Sequence, residues 1–223
     1  MNRQFVFAFD QFPTALGAAD FLVTDCNRLA ARWLERWPDW PAPALTIHGP
    51  AGSGKTHLLR VFVEQSSAVE IPALALTPET VPVLLGEHVA AAVDDAEGAD
   101  PVALLHLFNL LAERRGHLLL AAGSPPAQWA KTLPDLRSRL LAAPQVALEP
   151  PDDTLLAALL VKLFADRQLR VGKDVVLYCV RHMERSHLSA QRLVAELDRV
   201  VSVTKRDITL AMARDALKAL QGA

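Results

Sequence analysis

The octapeptide GPAGSGKT, Gly49 to Thr56, matches the pattern G-x-x-x-x-G-K-[ST] at every position. A short apolar run, ALTIHG at 44–49, leads into it, and a helical pattern, KTHLLRVFVEQ, leads out. Strand, loop and helix in that order are the setting in which this spacing wraps a polyphosphate. Gly52 and Gly54 carry no Cβ, so backbone N–H groups can turn inward and form a concave anion site. A helix starting near Lys55 adds its N-terminal dipole, the Lys55 ammonium reaches the outer phosphates, and Thr56 can ligate Mg²⁺. Gly49, Pro50, Ala51, Gly52, Ser53, Gly54, Lys55 and Thr56 are therefore the expected nucleotide-binding loop. A Gly-rich turn without a ligand is the bland alternative.

Four further stretches carry candidate chemistry. HVAAAVDDAEG ends an apolar run in Asp94 and Asp95, which places acids at the sheet edge where ligands of parallel sheets collect. Asp94 can hold the water shell of Mg²⁺, and Asp95 can polarise an attacking water, one methylene shorter than a Glu. Such a pair can also simply cap the next loop. LLLAAGSPP ends another run at the same edge; Ser124 there either probes a γ-phosphate or water, or caps a helix after Pro125 and Pro126. LPDLRSRLLAAP holds Arg137, best read as a solvated surface residue, and Arg139, placed to reach a neighbouring subunit's γ-phosphate as an arginine finger. Near the end of the chain, HLSAQRLVAELDRV puts Gln191 and Arg192 at a helix start, where an Arg could fold back over a nucleotide. The local basic excess of Arg181, Arg185, Arg192, Arg199, Lys205 and Arg206 equally suits a solvated helical face. The seven histidines show no metal-ligand spacing.

Positioning these groups requires a parallel sheet. Apolar runs at 44–49, 69–76, 88–93, 117–123 and 145–150 alternate with helical patterns, notably PVALLHLFNLLAERRG. That alternation predicts an α/β fold with a five-stranded parallel sheet flanked by helices. AADFLVTDCNRLAARWLERW at 18–37 becomes helical from Asp25, the expected N-cap, and stops before Pro38. PPDD at 150–153 supplies a breaker and a cap, and four helical patterns follow it. The expected organisation is a tail to residue 13, an α/β domain over 14–150 and a small helical domain over 151–223.

Half of the 223 residues are hydrophobic and 22% are charged, enough apolar material for a sizeable core. A net charge of −2 gives no global field for a nucleic-acid backbone, so strong sequence-specific DNA binding is not expected. Cys26 and Cys179 lie far apart, as suits a reducing cytoplasm, and no apolar run is long enough to cross a bilayer. The opening RQFVFAFDQF puts Phe5, Phe7 and Phe9 on one face of an extended chain, with Gln4 ahead. This is either an edge strand on the parent domain or a hook for a partner.

The order of these motifs resembles the AAA+ module of the DnaA family of replication initiators. GKTHLL and FLVTDCNRLAARWL (21–34) sharpen the resemblance, which covers about residues 14 to 220. It implies that Val23, Asn27 and His57 join the loop around ADP or ATP and that the helical domain is a lid. A full initiator carries a further DNA-reading domain after the lid; this chain stops at Ala223, which is similar to the Hda-type regulatory inactivators of DnaA. Such proteins dock on the DNA-loaded sliding clamp and stimulate hydrolysis of the initiator's ATP. They begin with a clamp-binding peptide, Q-h-x-h-x-h, which QFVFAF satisfies with Gln4, Phe5, Phe7 and Phe9. The family's lid arginine falls at Gln191, with Arg192 next to it, and its sensor acid falls at Gly123. With Asp95 in place of Glu, this implies weak intrinsic hydrolysis. Active sites at subunit junctions imply self-association, as a homodimer or larger homo-oligomer. A DnaC-like or transposon-type helicase loader is the alternative; a small-molecule kinase has no use for a four-helix lid.

Overall fold

Runs of Ala, Val, Leu and Ile with no polar face must be buried on both sides, and here they form one sheet. The computed structural model describes residues 22–204 and 207–221. Its strands are β1 (Ala44–His48), β2 (Val69–Pro72), β3 (Ala90–Asp94), β4 (His117–Ala122) and β5 (Gln145–Ala147). All pair in parallel, in the order β2-β3-β4-β1-β5. The five-stranded parallel sheet expected from the sequence is therefore present. The chain forms two compact units, Asp25–Pro150 and a second that takes residues 22–24 with Pro151 onward.

In the first unit the helices are α1 (Arg28–Glu35), α2 (Lys55–Ser66), α3 (Val81–Leu85), α4 (Pro101–Glu113), α5 (Pro126–Trp129) and α6 (Pro134–Ala142). Leu118, Leu119 and Leu120 on the central strand are all fully buried, so both sheet faces are covered. Leu118, Leu120, Ala91 and Val93 pack with Leu104, Leu107 and Leu111 of α4 and with Leu136 and Leu140 of α6. Their alternates face the other way, where α2 lies along β3 and β4 and buries Leu58, Leu59 and Phe62. The Asp100 carboxylate starts α4 by accepting from the N–H groups of Val102 and Ala103, at 2.9 and 2.8 Å.

Two local expectations are corrected. Asp25 does not cap α1: its carboxylate pairs with the Arg28 guanidinium, and the helix starts after Asn27, whose carbonyl accepts from Ala31 N at 3.0 Å. The run 69–76 is extended only to Pro72, because proline donates nothing to a ladder; Ala73–Ala75 coil into a 3-10 turn.

The second unit holds α7 (Asp153–Asp166), α8 (Lys173–His182), α9 (His187–Thr204) and α10 (Leu210–Gln221). Its core is built from Leu156, Leu160, Phe164, Val176, Leu193, Leu197 and Leu217, with the Cys179 thiol, pushed up to about 11 by burial, among them. The Asp152 carboxylate caps α7 by accepting from Leu155 N at 2.8 Å. Arg185 pairs with Asp153 at 2.5 Å and Arg199 with Glu196 at 2.7 Å, so part of the basic excess is spent on local ion pairs. Among the described residues no helix is long and apolar enough to cross a membrane.

At the start of β4, His117 meets the edges of Trp40 and Trp37, with centroids 5.4 and 6.2 Å away, and Trp40 stacks on Phe62. Burial holds the His117 pKa below its usual value, partly offset by a hydrogen bond to the backbone of Pro38. A folded-state pKa below the unfolded one favours the neutral ring, so this contribution to stability is complete above about pH 6.5 and is lost below it, as pH falls through the lower folded-state pKa. His48, also lowered by burial, acts with the same sign. Denaturant titrations between about pH 7.5 and 5 should show this decline, and His117→Gln should flatten part of it.

Candidate nucleotide-binding site

The loop between β1 and α2 is held from two sides. Gly49 N donates to Ala122 O of β4 at 3.2 Å, and Leu148 N donates to His48 O at 2.7 Å. A Cβ on Gly49 would lie 2.4 Å from Leu148 O, so the close approach of the chain past β5 excludes any side chain there. Gly52 and Gly54 take φ of 74° and 102°, values costly to L side chains, and Gly54 is the cap from which α2 starts. The loop thus ends at the N-terminus of a helix. The Lys55 ammonium lies across it, donating to the carbonyls of Gly49 at 2.9 Å and Pro50 at 3.0 Å.

The residues present fit a phosphate group. Ser53 is buried, and its Oγ finds no hydrogen-bond partner among the described residues. Burying a hydroxyl unsatisfied costs about 1–3 kcal/mol, which a polar guest in the loop would recover. Thr56 Oγ1 donates to Asp94 Oδ2 at 2.6 Å, across 38 residues of sequence. The other Asp94 oxygen accepts from Asp95 N at 3.0 Å, so the carboxylate is oriented on both sides. Among the described residues no group of three or more His, Cys, Asp or Glu gathers as a metal site. A hydroxyl beside an acid is the donor set of a divalent ion completed by phosphate oxygens and water.

Asp95 has φ 49°, left-handed and uncommon for a residue with a side chain, and it is exposed at the sheet edge. Ser124 is half-buried; its carbonyl accepts from Trp129 Nε1 at 3.0 Å. The helix-capping alternative for Ser124 does not hold, because α5 is preceded by Pro125 and has no side-chain cap. The fold therefore gathers residues 49–56, Asp94, Asp95 and Ser124 at one edge of the sheet.

Arg139 lies on α6, with 39% of its side chain exposed; its Nε contacts Asp135 Oδ1 at 3.2 Å and its guanidinium lies 5.6 Å from the Phe108 ring centroid. Arg137 is exposed on the same helix. Asn27 is buried at the start of α1, and His57 is half-buried on α2. Val23, Gln191 and Arg192 belong to the second unit and are exposed, the last two in the first turns of α9. Gln4, Phe5, Phe7, Phe9, Lys205 and Arg206 lie outside the described residues.

Sequence reasoning missed Glu97. This third acid of DDAEGAD sits in a 3-10 turn just after β3, and its Oε2 accepts from Gly123 N at 2.8 Å and Ser124 N at 3.3 Å. Its spacing from Asp94 was visible; its partners, on another strand, were not.

No protein-family model matches the chain. Over 89% of its length it is 23% identical to the chromosomal replication initiator protein DnaA of Magnetococcus marinus, and the match spans 50% of that protein. The chain thus spans about half the length of this curated relative. Domain III of the Thermotoga maritima replication initiation protein DnaA superposes with a TM-score of 0.77, covering 91% of this chain and 95% of that domain at 19% identity. The AMPPCP-bound DnaA of Aquifex aeolicus gives 0.67 over 92% of this chain and 69% of that one, at 17% identity. The chain is homologous to the AAA+ domain of DnaA and has a DnaA-like fold.

Proposed function

We propose that the chain is a nucleotide-bound regulator of replication initiation that docks on the DNA-loaded sliding clamp and stimulates ATP hydrolysis by a DnaA-type initiator. The observation that carries the nucleotide part is the 2.6 Å bond between Thr56 and Asp94, which unites the phosphate loop and the β3 acid in one site. Homology to an initiator supports the replication part.

In this reading the backbone N–H groups at the start of α2 and the Lys55 ammonium bind the phosphates of ADP or ATP. For that, Lys55 turns its Nζ from the Gly49 and Pro50 carbonyls to the ligand. Thr56 and Asp94 would hold Mg²⁺, which would neutralise charge on the phosphates. Asn27, Val23 and His57 join the nucleotide contacts, and Gln191 or Arg192 serves as the lid sensor. Asp95 is one methylene short of a Glu, which fits slow turnover of the protein's own nucleotide. Its work lies in the initiator's site, where Arg139 acts as a finger in trans. A homodimer or larger homo-oligomer with sites at its junctions fits this arrangement, as does a place in the cytoplasm.

The test adds the protein to initiator, ATP and DNA-loaded clamp; hydrolysis should accelerate, and an unchanged rate rejects the regulatory role. For the tail, Gln4 and the apolar face of Phe5, Phe7 and Phe9 would enter a preformed groove as an extended peptide. Gln4→Ala/Phe9→Ala should lose clamp in a pull-down while keeping nucleotide; equal recovery of clamp would reject the tail as the docking element.

A further inference from the structure

We propose that Glu97 is a positioning residue for hydrolysis at this site, its carboxylate fixing the turn that carries Asp95. The proposal rests on the nucleotide reading above. Asp95 is in the left-handed region, which a residue with a side chain keeps only where its surroundings hold it. Three bonds act within the turn: Asp95 N donates to Asp94 Oδ1 at 3.0 Å, Gly98 N to Asp95 O at 2.8 Å and Ala99 N to Ala96 O at 3.2 Å. None ties the turn to the rest of the sheet edge. Glu97 does, by seating Oε2 on the successive N–H groups of Gly123 and Ser124 at the end of β4.

That seat is chemically suited to a carboxylate. Two consecutive backbone N–H groups make a small anion nest, and amide-to-carboxylate bonds are stronger than neutral ones. Its position matters as much. β4 lies between β3 and β1, and Gly49 N of the phosphate loop donates to Ala122 O, one residue before the nest. Thr56 closes the other side on Asp94. Phosphate loop, β4 end, Glu97, Asp95 and Asp94 thus form a continuous hydrogen-bonded circuit around the place where a terminal phosphate would be attacked.

Gly123 carries an independent sign of the same design. A Cβ there would lie 2.8 Å from Glu97 Oε1, so the carboxylate fills the space a side chain at 123 would need. Gly123 is not among the positive-φ glycines, and an alanine there would be excluded by Glu97 rather than by backbone strain. Substituting position 123 therefore dislodges Glu97 without altering it.

The step supported is attack of water on the terminal phosphorus of ATP. One P–O bond forms, the bond to the bridging oxygen of ADP breaks, and the proton released by the water passes to Asp95 and on to solvent. Displacing Asp95 slows this step without weakening phosphate binding, which belongs to the loop.

The test is single-turnover ATP hydrolysis with protein in excess, alongside ATP affinity and thermal unfolding, for wild type, Glu97→Ala, Glu97→Gln and Gly123→Ala. Glu97→Ala and Gly123→Ala should each slow hydrolysis about tenfold while ATP affinity stays within about twofold. Glu97→Gln, whose amide oxygen can still accept from both N–H groups, should stay within about threefold of wild type. A wild-type rate in Glu97→Ala, or a Glu97→Gln as slow as Glu97→Ala, overturns the proposal, as does a wild-type protein that binds ATP without hydrolysing it. Failure of wild type to bind ATP removes the nucleotide reading itself, a distinct outcome.

Discussion

Arg139→Ala should remove stimulation of the initiator's ATP hydrolysis, a loss of about 10³-fold or more if the side chain is an arginine finger. The transferring phosphoryl group spreads negative charge over three oxygens, and a guanidinium delivered from outside stabilises that charge only as it develops. A factor of 10³ is about 4 kcal/mol of barrier. Against this stands what Arg139 must give up. Its contact with Asp135, at 3.2 Å and i,i+4, joins two side chains that are 39% and 54% exposed. Exposed helical pairs of this kind contribute about 0.3–0.5 kcal/mol. Its place above Phe108 adds about 0.5–1 kcal/mol. The resting contacts are weaker than the transition-state contact by a wide margin, so they can park the side chain without preventing its delivery. The measurement is initiator ATP turnover with DNA-loaded clamp, comparing wild type, Arg139→Ala and Arg137→Ala. Arg137→Ala should stay within about twofold of wild type; full stimulation by Arg139→Ala would assign the finger elsewhere.

Lys55→Ala should abolish the rise in melting temperature that ADP produces. With ligand at 100 times its Kd, binding to the native state alone adds about 2.7 kcal/mol. For a chain of this length that is about 5–10 °C. Without ligand the variant should melt within about 1 °C of wild type, since the bonds it loses, to the Gly49 and Pro50 carbonyls, lie at a partly exposed loop. Differential scanning fluorimetry over an ADP series separates the two effects. A variant that still shifts with ADP as wild type does would mean the nucleotide is held elsewhere.

How much of this was legible depends on how local each feature is. The turn from β1 to α2 was readable because its glycines set the backbone within eight consecutive residues. The sheet was readable because its strands are short apolar runs separated by helical patterns. Asp152 at the start of α7 was readable as a cap. Asp25 misled because its carboxylate had a nearer partner in Arg28, and Asn27 starts the helix through its backbone alone. Glu97 was not readable: its bonds to Gly123 N and Ser124 N depend on β4 lying beside β3, a consequence of strand order. The left-handed turn at Asp95 and the space Glu97 takes at Gly123 are likewise properties of the assembled sheet edge.

Calorimetric titration of ADP and ATP into the purified protein with Mg²⁺ bears most directly on the site. Saturable binding of one nucleotide per chain, lost in Lys55→Ala, is the expected result. A flat titration in wild type, with no heat at more than one temperature and no change in melting, would contradict it and leave the Thr56–Asp94 pair without a ligand to serve.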